Sequence, residues 1–199
     1  MFAIHARYRG RAVRRAELVA RSAEALSTLE GVGTFDVIGV EDICAVIDTP
    51  EAVADTTMAL LSAGEWAVGI GIIPATVKAG DEQVKKLAGS ALGSRARIGT
   101  VKVKVKAQRG AKEVADRWGM DIASCFLLLA TVLSKRSAEG REATSYMRRG
   151  YNQNEAAEEL GITKQAMSQR LQAAGWHAET AGWQLAVNLL ARAAEGTAE

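Results

Sequence analysis

Within residues 151–176 the chain reads YNQNEAAEELGITKQAMSQRLQAAGW, and its chemically useful side chains there are hydrogen-bonding groups rather than nucleophiles. Lys164, Gln165, Ser168, Gln169 and Gln172 share one face of a helix opened by Thr163, with Arg170 near its edge. Amides and short hydroxyls on an exposed helix match the donors and acceptors that base pairs present in the major groove. Thr163, Lys164, Gln165, Ser168 and Gln169 are therefore candidates for base or phosphate contact. Arg170, Gln172 and the upstream Arg148 and Arg149 are candidates for the flanking contacts, the arginines for phosphates. Other chemistry finds little support. His5, His177 and the scattered Ser and Asp residues single out no catalytic triad. Gly31-Val32-Gly33 is not a phosphate loop. Two cysteines and two histidines show no metal-ligand spacing. No catalytic residue, metal site or cofactor is expected.

The elements that must present those side chains are legible from local rules. Asn152 can cap a helix, and Glu155, three residues on, can close a capping box. Ala156, Ala157 and Leu160 give this helix a small apolar face. Gly161 suits left-handed backbone, and Ile162 can fill the corner. Thr163 can cap the second helix, where Met167 and Leu171, four apart, point inward. The spacing predicts a helix-turn-helix over 152–173. It resembles the helix-turn-helix of bacterial regulators and of sigma-like factors, whose recognition helices often carry a pattern like AMSQRL. The competing reading is a helical hairpin that only packs against the rest of the chain or against a second copy.

Composition sets the frame. With 199 residues, 48% of them hydrophobic, the chain can bury a core in one domain or two small ones. Net charge is only +2, but it is segregated. Six arginines, from Arg7 to Arg21, crowd the N-terminus; residues 22–77 hold nine acids and no Lys or Arg; residues 78–117 hold eleven bases against four acids. Opposed charged faces are the expectation, and the acidic stretch could meet a basic partner. Cys44 and Cys125 sit in the apolar runs ICAVI and SCFLLLA and read as buried free thiols. Charged residues from His5 onward leave no secretory leader, and the apolar run at 125–133 is too short to span a bilayer. The chain reads as cytoplasmic or nucleoid-associated, with no membrane partner.

Along the chain, periodicity predicts a strand at 2–5 and a helix at 14–29 with Leu18, Ala25 and Leu29 inward. Two strands follow at 34–38 and 43–47 around the turn at 39–42. A helix from Pro50, capped by Thr49, runs to about Ser62, and a strand at 66–73 is closed by Pro74. This order fits a ferredoxin-like α+β domain over 1–110, with helices on one side of an antiparallel sheet. Gly69 and Gly71 fall on one face of their strand, which suits close packing of a helix. A helix at 82–92 is followed by TVKVKVK at 100–106, whose valines can bury one face while its lysines guard an edge or touch phosphate. An all-helical domain is expected over 111–199: a central helix at 121–136, a helix at 138–149, the helix-turn-helix, and a last helix at 184–193. Trp176 and Trp183 would flank a polar connection as packing anchors. Residues 196–199 read as a frayed end.

MFAIHARYRG, FDVIGVEDICAVID, WAVGIGIIP and the segment from Tyr151 together resemble the SatD-like proteins and the small actinobacterial MarR-like regulators. That resemblance implies an α+β N-terminal domain, a winged-helix-like C-terminal one, and an N-terminal domain akin to the palm of nucleotide and diguanylate cyclases. In such palms the first strand ends in an Asp and a Gly-Asp-Glu turn supplies further carboxylates for divalent metal. Here His5-Ala6-Arg7 stands at the strand end. Glu41 and Asp42 are adjacent and would point apart. The domain therefore reads as degenerate and non-catalytic. The expected function is a sequence-specific transcriptional regulator that binds double-stranded DNA as a homodimer, its N-terminal domain either positioning the two reading heads or responding to an unidentified small-molecule effector. The alternative is a protein-interaction or nucleoid structural protein without operator specificity.

Overall fold

The computed structural model describes residues 1–196; residues 197–199, most of the stretch read as a frayed end, lie outside them. Strands β1 (Phe2–Tyr8), β2 (Asp36–Val37), β3 (Asp42–Ile47), β4 (Trp66–Ile72) and β5 (Val101–Val105) are interleaved with helices α1 (Arg15–Leu26), α2 (Pro50–Ala63) and α3 (Asp81–Leu92). Five helices follow: α4 (Lys112–Ser134), α5 (Ala138–Arg148), α6 (Gln153–Glu159), α7 (Lys164–Ala173) and α8 (Trp176–Glu195). The molecule is thus a mixed α+β region with a five-stranded sheet, followed by an all-helical region.

The sheet runs β2-β3-β1-β4-β5. β1 lies antiparallel between β3 and β4, β2 is antiparallel to β3, and β5 joins the far edge parallel to β4. The alternation of β1 sorts its side chains. Phe2, Ile4, Ala6 and Tyr8 enter the main core beside Val19, Ala23 and Leu26 of α1 and the apolar face of α2. Ala3 instead joins Ile73, Val84 and Ala88 in a second, smaller core under α3. Of the residues expected to face inward, Leu18 packs against the main core, whereas Ala25 is exposed, as is Leu29, which lies past the end of α1.

Helix α3 covers the sheet face opposite α1 and α2, so helices lie on both sides and not on one. The two strand glycines permit this. A Cβ on Gly69 would stand 2.4 Å from the Ala88 carbonyl oxygen, and one on Gly71 2.6 Å from the Ala88 nitrogen. Only hydrogens allow the helix backbone to come that near the sheet. On β5 the valines turn toward the main core and the lysines toward the α3 face, where Lys104 Nζ reaches Ser90 Oγ at 3.3 Å.

The core continues past residue 110. Ile122, Cys125, Phe126, Leu129 and Leu133 of α4 and Ala186, Val187, Leu190 and Ala193 of α8 belong to the same buried cluster as the sheet. Helix α4 starts nine residues before its expected position. By length and composition it is long and apolar enough to cross a membrane, a property that counting the run at 125–133 alone does not reveal. One face of it is buried in this core, while Leu127 and Leu128 are exposed. Helix α8 also starts early: the expected connection between Trp176 and Trp183 is its first two turns. Helices α5, α6 and α7 form a separate small head around Ala143, Ala156, Ala157, Met167 and Leu171. After α7 the chain enters α8 through Gly175, and among the described residues no strand follows β5, so the head carries no wing.

Candidate nucleic-acid interface

The head is assembled by local bonds that its sequence encodes. Asn152 Oδ1 accepts from the backbone nitrogens of Asn154 and Glu155, while a Glu155 carboxylate oxygen accepts from the Asn152 nitrogen at 2.8 Å. This reciprocal box leaves few free donors at the start of α6. Gly161 adopts φ 62°, which a side chain would disfavour, and the turn it makes redirects the chain. Thr163 Oγ1 accepts from the Ala166 nitrogen at 3.1 Å and fixes the start of α7. The alanines of α6 let α7 approach closely, and Met167 and Leu171 fill the seam.

That packing decides what α7 exposes. Thr163, Lys164, Gln165, Ser168, Gln169 and Gln172 all face solvent, as the spacing predicts. Arg170 is partly covered, with Nη1 3.5 Å from a Glu142 carboxylate oxygen. The two upstream arginines diverge. The Arg149 guanidinium lies 4.0 Å from the centre of the Tyr146 ring and 5.4 Å from that of Tyr151, a stacked cation held at the head's surface. Arg148 turns the other way: its Nε and Nη2 donate to one oxygen of Glu179 at 3.0 and 2.6 Å. It is a structural tie to α8 more than an outward phosphate ligand.

The other Glu179 oxygen accepts from Arg136, whose side chain is only 2% exposed and whose Nε also donates to the Ala174 carbonyl at 2.8 Å. Two guanidiniums thus grip one carboxylate that is 7% exposed, joining the end of α4, the end of α5 and the first turn of α8. Sequence reasoning misses this network. Its members stand 31 and 43 residues apart, and no local pattern links them.

The head carries no excess of positive charge. Over 138–175 Arg141, Arg148, Arg149, Lys164 and Arg170 are balanced by Glu139, Glu142, Glu155, Glu158 and Glu159. At the ends of β1 and β3 the segregated charges meet each other. Asp42 Oδ1 lies 2.7 Å from His5 Nε2 and accepts from Arg7 Nε at 2.6 Å, and Glu41 pairs with Arg9 and Arg15. So part of the arginine-rich N-terminus is answered within the chain by part of the acidic stretch. Glu41 and Asp42 take separate partners, and among the described residues no group of three or more His, Cys, Asp or Glu side chains is placed to hold a metal ion. Both thiols are buried. Burial pushes Cys44 up to about 11 and also raises Cys125, whose Sγ lies 3.4 Å from the Gly182 carbonyl oxygen. Neither is poised as a nucleophile.

No protein-family model, curated protein or solved structure matches this chain.

Proposed function

We propose that the chain is a sequence-specific DNA-binding protein, a transcriptional regulator that acts as a homodimer and reads the major groove with α7. The observation that carries this is the head: a capped helix, a glycine turn and a second capped helix whose outward polar side chains are amides, hydroxyls and one lysine. This is the arrangement of a helix-turn-helix, with Lys164, Gln165, Ser168, Gln169 and Gln172 toward bases and Thr163, Arg149 and Arg170 toward the backbone. A single recognition helix buries little surface, so two copies are required for a useful site.

The charge balance of the head bears on the alternative. A nucleoid coat draws its affinity from neutralised phosphates. Five glutamates cancelling five bases leave that term weak, which counts against a nucleoid coat.

In this reading the N-terminal region is a ferredoxin-like domain of cyclase-palm ancestry, non-catalytic and used as a scaffold. The antiparallel order β4-β1-β3-β2, with α1 and α2 on one face, supports it. So does the engagement of Asp42 by His5 and Arg7 at the strand end where a palm would keep carboxylates for metal. The kinship to SatD-like and MarR-like proteins is part of the same proposal.

The test is selection of genomic fragments by the purified protein at about 0.15 M salt, then titration of the recovered duplex against a scrambled one. A shared sequence preferred over the scramble is expected. Replacing Gln165 and Gln169 together by alanine should lose about 1–3 kcal/mol of discrimination per contacted base pair. Equal binding to both duplexes, or an unaltered preference in the folded variant, overturns the assignment.

A further inference from the structure

A cleft of about 560 Å³ opens between α2, the first turns of α8 and the end of α5. Its size falls within the roughly 300–1,000 Å³ of small-molecule sites. Its walls are mainly apolar: Leu29, Met58 and the indoles of Trp176 and Trp183. Three charged groups reach it with different commitments: Arg148 and Glu179 are paired with each other, and Asp55 is not paired with a cation. Arg148 already directs Nε and Nη2 at Glu179. Asp55 accepts from Trp183 Nε1 at 2.7 Å through Oδ1 alone and has no cationic partner among the described residues. An apolar recess with two aromatic walls and one unpaired carboxylate favours a positive, greasy guest. The indoles supply apolar area for the guest's rings, and the carboxylate supplies the counter-charge for its cationic centre.

We propose that this cleft is a binding site for a lipophilic organic cation, an aryl ammonium or phosphonium type of molecule, with its charge beside Asp55 and its rings against Trp176 and Trp183. The site stands on the cleft alone. Its use as the regulator's effector input rests on the DNA-binding reading above, and geometry connects the two. Trp176 packs against the core of the head, and Arg148 belongs to α5, so a guest touches both elements that seat α7.

The experiment needs no DNA, so it fails or succeeds independently of the operator test. The full chain is titrated calorimetrically with tetraphenylphosphonium and, separately, with the similarly shaped anion tetraphenylborate, with tryptophan emission followed in parallel. The cation is expected to bind one per chain and perturb the emission, and the anion to bind at least tenfold more weakly. Asp55→Asn keeps an acceptor for Trp183 and should weaken the cation about fivefold or more without lowering the melting temperature. Ala59→Trp, at an exposed position lining the cleft, should block the site sterically. Equal or stronger binding of the anion overturns the proposal. So does absence of cation binding up to about 1 mM, or cation binding that neither variant changes.

Discussion

The main core and the head solve the same problem with different materials. Around the sheet, Ile4, Ile43, Ile47, Ile70, Ile72, Ile122 and Phe126 are fully buried, and four helices press on one face and a fifth on the other. The head has three alanines, one methionine and one leucine at its centre. Large side chains bury roughly 1.5–3 kcal/mol each, an alanine far less. The head therefore leans on caps and on the Arg136–Glu179–Arg148 network, whereas the sheet leans on volume. A region held by a few directional bonds can keep its shape and still shift as a body. A region held by volume cannot.

Substitutions can break or sharpen that contrast. Phe126→Ala should do the most damage, about 3–5 kcal/mol, because it opens a void where α4 meets the main core. Denaturant unfolding should show a lower midpoint for the whole molecule, and retention of the wild-type midpoint would mean that α4 is peripheral. Glu179→Gln comes next, at roughly 3 kcal/mol, since the buried Arg136 loses its counter-ion. Hydrogen exchange should accelerate in α5–α8 before the strands; uniform acceleration would erase the distinction between head and sheet. Asn152→Ala removes the capping box and should cost about 1 kcal/mol, read as faster exchange confined to α6. The pair Gln165→Ala and Gln169→Ala should leave stability within about 0.5 kcal/mol, being surface changes.

Acidity adds a test on the sheet side. The Cys44 thiol is raised from 9.0 to about 11 by burial. The fold therefore favours its protonated form. That contribution is whole below pH 9 and disappears as pH climbs through about 11. Alkylation of Cys44 at pH 8 should be much slower in the native protein than in denaturant, and equal rates would place the thiol outside the core.

The legibility of each region in the sequence follows the same division. The head's capping and turn bonds span two to five residues, so the roles of Asn152, Glu155, Gly161 and Thr163 can be read from their immediate neighbours. The outward set on α7 follows from the positions of Met167 and Leu171. The same-face pairing of Gly69 with Gly71 signals a close helix but not which helix, nor that α3 crosses to the far face. The early starts of α4 and α8 escape notice because their first turns are polar, and periodicity sees only apolar repeats. Arg148 misleads for a different reason. An arginine just ahead of a polar-faced helix pair has the right chemistry for phosphate, and only the fold reveals that Glu179 from another helix already holds it.

Helix α8 has a mechanical consequence. Its 20 residues make a rod about 30 Å long. Near one end the Ala194 carbonyl is fastened to the Ala75 nitrogen, just beyond β4, and near the other Glu179 is clasped by Arg136, just after α4, and by Arg148 of the head. Its C-terminal half is also buried in the main core through Ala186, Val187, Leu190 and Ala193, so the rod works as a strut. About 20 Å of helix separates the sheet-side bond from the Glu179 clasp, so the seat of α7 is set by the same core that packs the sheet.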